Sequence, residues 1–360
     1  MERSRRVGGL LVGLLLALSS AILVSSASAA VSLPPSSPFR GTALWVTQVA
    51  ESAPSALAAE ARQAGAHTLF VHAGDGSTID PQFSPVLLQE LRAAGMSVCG
   101  WTFAYGLNPA AEAAVDVAAV RAGAQCLVID AESQYDGLYG AAQVFIHSLR
   151  SQLGSSFPIG LAGEAEVAQH PKFPYSVFLG PGGFNVDLPQ IYWLDFGVSV
   201  ASAYEATLPV NSIYGRPVLP VGQLYNSPAP AEVESFRALA GSYGSQGLSF
   251  FNLDSAGPQQ LAALAAPPPR LARLLVSPPA LHPGADNDEV VWAQELLNGA
   301  GARLPVGGFF GAQTTRALAR FQASHHLAPS GVLGAATWRV LERIHPREPS
   351  WAAGPPDSAR

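Results

Sequence analysis

The chain has 360 residues, 48% of them hydrophobic and 13% charged, with a formal net charge of −6 and a single lysine, Lys172. So little cationic side chain leaves no electrostatic footprint for nucleic acid, and two cysteines are too few for a disulfide scaffold. No His/Cys cluster has ligand spacing, so no metal and no other cofactor is expected.

Residues 1–30 read as a targeting segment. Arg3, Arg5 and Arg6 precede an apolar run over 7–24, and Ala27-Ser28-Ala29 supplies an A-x-A cleavage site. The run is long for a signal peptide, so an uncleaved N-terminal anchor is the alternative. Both imply export, to the cell exterior or the cell wall. No other stretch is apolar and long enough to span a membrane, and a monomer is expected with no membrane contact once the signal is removed.

From residue 38 to 266 strand-like and helix-like segments alternate. The strand-like ones are 44–49, 67–72, 97–104, 125–130, 157–162, 188–194, 216–224 and 247–253. Helical patterns fall at 55–64, 85–94, 109–122, 140–153, 232–243 and 259–265. Three early helices end alike, in Ala64-Gly65-Ala66, Ala94-Gly95-Met96 and Ala122-Gly123-Ala124. A glycine there permits the positive φ that closes a helix, and its recurrence marks one strand-plus-helix unit. Eight such strands predict an α/β protein, a (β/α)8 TIM barrel. An open doubly wound sheet is the other arrangement of such units, but no Gly-rich phosphate loop follows the first strand.

The fourth strand carries the chemistry. Cys126, Leu127, Val128 and Ile129 form an apolar run that stops at Asp130 and Glu132. Period-two alternation puts both carboxyls on one side of the strand, roughly 6.6–7 Å apart along it. Neighbouring carboxylates push at least one pKa upward, and a protonated acid beside an ionised one is what glycoside hydrolysis uses. A helix N-cap with a surface charge is the competing reading. Cys99 and Cys126 lie in apolar strands, where two buried thiols and a bridge both fit.

Residues 267–283 are broken by Pro267-Pro268-Pro269, Pro278-Pro279 and Pro283, which predicts an extended linker. Residues 284–345 change style, with helices expected at 288–298, 314–322 and 335–344. From 346 to 360 a disordered tail is expected.

The module at 284–345 resembles the type 1 peptidoglycan-binding domain, a small all-α three-helix fold. Val290 to Leu297 match its V-x-x-x-Q-x-x-L opening, and Gly308-Phe309-Phe310-Gly311-Ala312-Gln313-Thr314 its G-x-F-G-x-x-T turn. Ala317-Leu318 with Phe321-Gln322, and Gly331 with Thr337-Trp338, match the remainder. The resemblance implies a partner in bacterial cell-wall glycan or its stem peptide. The barrel resembles glycosidase-like barrels, in particular the family 25 lysozyme-type muramidases, through Asp130-Ala131-Glu132 at the end of strand four. It departs from them at strand one, where Trp45-Val46-Thr47-Gln48 lacks their usual aspartate.

Active sites of such barrels lie at the C-terminal ends of the strands. Those ends carry Gln48, His72, Trp101, Tyr192, Asp195, Gln223 and Asp254 as candidate substrate contacts around the catalytic candidates Asp130 and Glu132. Rings to stack on sugar faces, and acids and amides for hydroxyls, suit a saccharide. Glu164 reads as readily as a solvated loop charge. The expected activity is that of a cell-wall glycoside hydrolase, muramidase or lysozyme-like, with Glu132 as acid and Asp130 as ionised partner. The alternative is a wall-binding protein whose barrel does no chemistry.

Overall fold

The computed structural model describes residues 32–49, 54–165 and 167–351 of the chain. The targeting segment read at 1–30 lies outside them. The chain opens with β1 (Gly41–Val46), α1 (Pro54–Gln63), β2 (Thr68–Asp75) and a short β3 (Thr78–Ile79). Then come α2 (Pro85–Ala93), β4 (Ser97–Ala104), α3 (Pro109–Ala122), β5 (Leu127–Ala131) and α4 (Tyr139–Leu153). The second half runs β6 (Ile159–Glu164), α5 (Tyr175–Phe178), β7 (Val186–Gln190), α6 (Val200–Asn211) and β8 (Val221–Gln223). It closes with α7 (Pro230–Tyr243), β9 (Gly247–Phe251) and α8 (Pro258–Ala265).

Eight parallel strands follow in the order β1-β9-β8-β7-β6-β5-β4-β2, and β2 pairs back onto β1. This is the closed (β/α)8 barrel that the alternation predicts. β3 is the exception, a two-residue strand antiparallel to the end of β2. Two helices had no counterpart in the sequence pattern. α5 is four residues long, and α6 carries Pro209 in its interior, which reads as a breaker. The sixth strand expected at 188–194 stops at Gln190, so Tyr192 and Trp193 sit in the turn beyond it.

Alternation along the strands separates two apolar layers. Trp45, Phe70, Cys99, Trp101, Cys126, Val128, Ala162, Leu188 and Val221 fill the lumen. Their neighbours Leu44, Val71, Leu127, Ile129 and Leu161 face the helices. Val128 therefore puts Asp130, two residues on, at the open end of the lumen. Cys99 and Cys126 are bridged across adjacent strands, with Cα atoms 4.6 Å apart. The helix-ending glycines are left-handed as expected; Gly123, at φ +118°, donates to the carbonyls of Ala119 and Val120 and turns the chain into β5.

The C-terminal module comprises α9 (Asp288–Gly299), α10 (Ala312–Ser324) and α11 (Ala335–Leu341). Two buried glutamines explain its sequence pattern. Gln294 accepts from the amides of Gly307 and Gly308 and donates to the carbonyl of Phe309 and to Thr314 Oγ1. Gln322 repeats the device, accepting from the Gly331 amide and donating to the Val332 carbonyl and Thr337 Oγ1. Each amide side chain folds one loop against the next helix, which is why the Gln, Gly and Thr positions recur together.

α9 is buried from Asp288 through Leu297, because its second face packs on the barrel. Asp288 Oδ1 accepts from Ser176 Oγ at 2.7 Å, and Oδ2 from the Ser176 amide and the Tyr214 hydroxyl, each at 2.8 Å. Trp292 Nε1 donates to the Ile213 carbonyl. Residues 346–351, expected to be disordered, instead pack on the molecule: the Arg347 amide donates to the Glu295 carbonyl, and Trp351 packs on Tyr139 with ring centroids 4.5 Å apart. Residues 352–360 lie outside the described ones.

Candidate active site

β5 delivers Asp130 and Glu132 to the lumen end, Asp130 buried and Glu132 half-buried. The residue that joins them is Gln190, the last of β7. Its Nε2 donates to Asp130 Oδ1 at 2.6 Å and to Glu132 Oε1 at 3.1 Å. Both carboxyls are pushed above the ordinary carboxylate range, so the pair retains a proton where isolated carboxylates have lost theirs. Burial is the main cause for both, with the charge of Glu132 adding to the rise at Asp130 and Glu164 adding to both. Asp130, expected as the ionised partner, is the more enclosed of the two, and burial raises it well above the ordinary carboxylate range.

Glu164, at the end of β6, belongs to this group rather than to solvent. His170 lies between two acids, with Nε2 3.6 Å from Glu164 Oε1 and Nδ1 3.1 Å from Asp136 Oδ2. Its charge lowers Glu132 against the other influences. Tyr192 completes the group. Its phenol is pushed up by burial first and then by the charge of Asp130. Trp193 points the other way, fully buried, with Nε1 donating to Glu232. Tyr192 leads to a rim cluster through an edge-on contact with Tyr225 at 5.5 Å. There Asp195 accepts from the Tyr225 hydroxyl and from Asn226 Nδ2.

The remaining candidates form a second group across the mouth. His72 Nδ1 lies 2.7 Å from Asp80 Oδ2, and its ring centroid is 4.4 Å from that of Trp101. Trp101 itself is buried and donates to the Val46 carbonyl, so it floors the mouth. Phe251 lies between the groups, its ring 6.1 Å from Trp101 and 6.3 Å from Tyr192. Asp254 is exposed at the end of β9, and Oδ2 accepts from the Thr47 amide at 2.6 Å. It thus brings a carboxylate to the end of β1, where the sequence has none. Two candidates remain. Gln223 is fully buried two residues past the lumen residue Val221, and its Oε1 accepts from the Leu194 amide, fixing the turn under Tyr192, while its Nε2 has no protein partner among the described residues. Gln48 is exposed past β1, and Gln82 instead binds the strand end, donating to the Thr47 carbonyl and accepting from the Val49 amide.

Fold and site together define a TIM barrel with a coupled acid pair at the mouth, joined through a packed seam to a helical module. Residues 286–341 match the family described as "Putative peptidoglycan binding domain". No curated protein matches the chain. Among solved structures, a peptidoglycan-binding protein from Clostridioides difficile, in complex with glutamine hydroxamate, is 32% identical with a TM-score of 0.18. That match covers 18% of this chain and 41% of the other, less than half of that protein. The Bacillus cereus spore cortex-lytic enzyme SleL is 12% identical over 62% of this chain and 73% of its own, with a TM-score of 0.48. A chitinase from Chromobacterium violaceum is 13% identical over 62% and 98%, also with a TM-score of 0.48. Among the described residues no helix is long and apolar enough to cross a membrane.

Proposed function

We propose that the protein is an exported glycoside hydrolase acting on the N-acetylated amino-sugar chain of bacterial cell wall, with the C-terminal module holding that polymer. The observation that carries the reading is the acid pair itself, two carboxyls sharing the amide of Gln190 at the open end of the lumen. Carboxyls whose oxygens lie 2.6 and 3.1 Å from one amide nitrogen stand side by side and do not flank a sugar ring from opposite faces. Retaining pairs are about 5–5.5 Å apart and inverting pairs about 6.5–9.5 Å, each across the scissile bond. A side-by-side pair suits the substrate-assisted route, in which the substrate's own N-acetyl oxygen attacks the anomeric carbon.

Glu132, the more open of the two, protonates the glycosidic oxygen as that bond breaks. It uses the proton that the pair retains, and Asp130 is left ionised. Asp130 then accepts from the N-acetyl N–H and stabilises the positive charge that develops on the substrate. The Tyr192 hydroxyl, beside Asp130, serves as a donor to the acetyl oxygen. Water opens the cyclised intermediate with Glu132 as base. The family 25 pattern is met in part, since the strand-one acid is lacking and Asp254 approaches that position from β9.

Purified cell walls test the reading through loss of turbidity and the identity of the new reducing ends. Glu132→Gln is expected to abolish lysis, by about 10²-fold or more, while leaving wall binding intact. Lysis unchanged in that variant would remove Glu132 from the mechanism. Binding without lysis by the unaltered protein would favour the non-catalytic alternative.

A further inference from the structure

The chain leaving β6 connects two places that the sequence keeps far apart. At Glu164 it ends the strand, and at His170 it returns an imidazole to Glu164 and Asp136. The next carbonyl, that of Pro171, accepts from the Asp288 amide at 2.7 Å, at the first residue of α9. One residue further, Lys172 pairs with Asp286, and its carbonyl accepts from the Gly137 amide at 2.8 Å, next to Asp136. Three consecutive residues therefore touch the acid site, the start of the module's first helix and the loop after β5.

The module's end of this connection is stiff. Asp288 is fully buried and held by Ser176 and Tyr214, so the start of α9 cannot shift without taking Pro171 with it. The Lys172–Asp286 pair is exposed and contributes little by itself. The backbone bond to Pro171 and the enclosed carboxylate of Asp288 carry the constraint.

We propose that His170-Pro171-Lys172 is a strap through which docking of the C-terminal module sets the active site, with His170 as a positioning residue for Glu164 and Glu132. The module is then part of the catalytic unit as well as a tether. The imidazole faces Asp136 from the loop after β5 and Glu164 from β6, with Glu132 behind, and Asp286, Asp288 and Lys172 lie at the strap's far end. Where it sits decides how much of the negative charge of Glu164 reaches Glu132. This inference rests on the hydrolase reading for its kinetic form but not for its structural form.

The test uses the full chain and a small soluble substrate, an aryl glycoside of an N-acetylated amino-sugar disaccharide, which a mere tether would not need. His170→Ala is expected to lower kcat about tenfold with little change in KM. Loss of its charge should move the alkaline limb of the pH profile upward, because Glu132 then keeps its proton longer. Asp288→Asn, outside the acid site, should reproduce part of both effects. Tyr214→Phe, which removes one of the donors that hold Asp288, serves if Asp288→Asn fails to fold. Unchanged kcat and pH profile in the seam variants overturn the proposal. The imidazole resonances of His170, followed by NMR, give a readout independent of turnover. They are expected to shift in the seam variants even if the glycoside is not cleaved, which would sink the hydrolase reading alone. Resonances that stay put sink the strap.

Discussion

Two of the places where the molecule buries carboxyls, the lumen mouth and the module seam, separate acids kept for chemistry from acids kept for docking. At the lumen mouth, Asp130 and Glu132 share one side-chain donor, Gln190. At the seam, Asp288 is held by Ser176 and Tyr214 through three hydrogen bonds. Its pKa is raised to about 6 by burial, held back by those donors. Glu295, on the same helix, has both oxygens buried without a partner and is pushed up to about 9. Burial raises pKa values in both places, so a raised value does not by itself mark an active site. What distinguishes the mouth is that the second acid, Glu132, remains half open to an incoming molecule.

Three substitutions would break or sharpen this contrast. The largest effect is expected from Asp130→Asn, which should lower wall lysis about 10²-fold or more without lowering the unfolding temperature. A variant that lost stability with activity would mean that the mouth acids, like those of the seam, are structural. Asp288→Ala should act first on stability. It strands the Ser176 and Tyr214 donors and should cost about 2–4 kcal/mol in denaturant unfolding. The smallest effect is a change of slope. Glu289, raised to about 7, and Glu295 are both neutral in the folded protein over a range where the unfolded chain ionises. Their contribution is full at pH below the ordinary carboxylate range and falls as pH rises toward about 9. Glu295→Gln should flatten that fall above pH 7, as read from unfolding temperature against pH.

Much of the barrel could be read from local signals, because each strand-and-helix unit is closed by its own punctuation. Gly65, Gly95 and Gly123 take φ of +80°, +89° and +118°, as helix-ending glycines should. Asp130 and Glu132 were legible for a similar reason, since two residues on one strand fix their relation without knowledge of the fold. Gln190 was not, because its meaning depends on barrel closure. It lies 60 residues from Asp130 and meets it only when β7 curves past β6. His170 and Asp80 sit in loops whose path the sequence does not dictate. The seam was hidden for another reason. Asp288, Glu289 and Glu295 are charges that an isolated three-helix module would leave in water, and only a second packing partner turns them inward.

The Cys99–Cys126 bridge has a consequence for how the chain survives damage. It spans 27 residues and closes β4, α3 and the approach to β5 into a covalent ring. A protease that cuts anywhere inside that ring leaves two fragments still joined one step before the strand that bears Asp130 and Glu132. The fragments keep adjacent strands at one another's side, so a nicked molecule can retain the floor beneath its acid pair where an unbridged barrel would come apart.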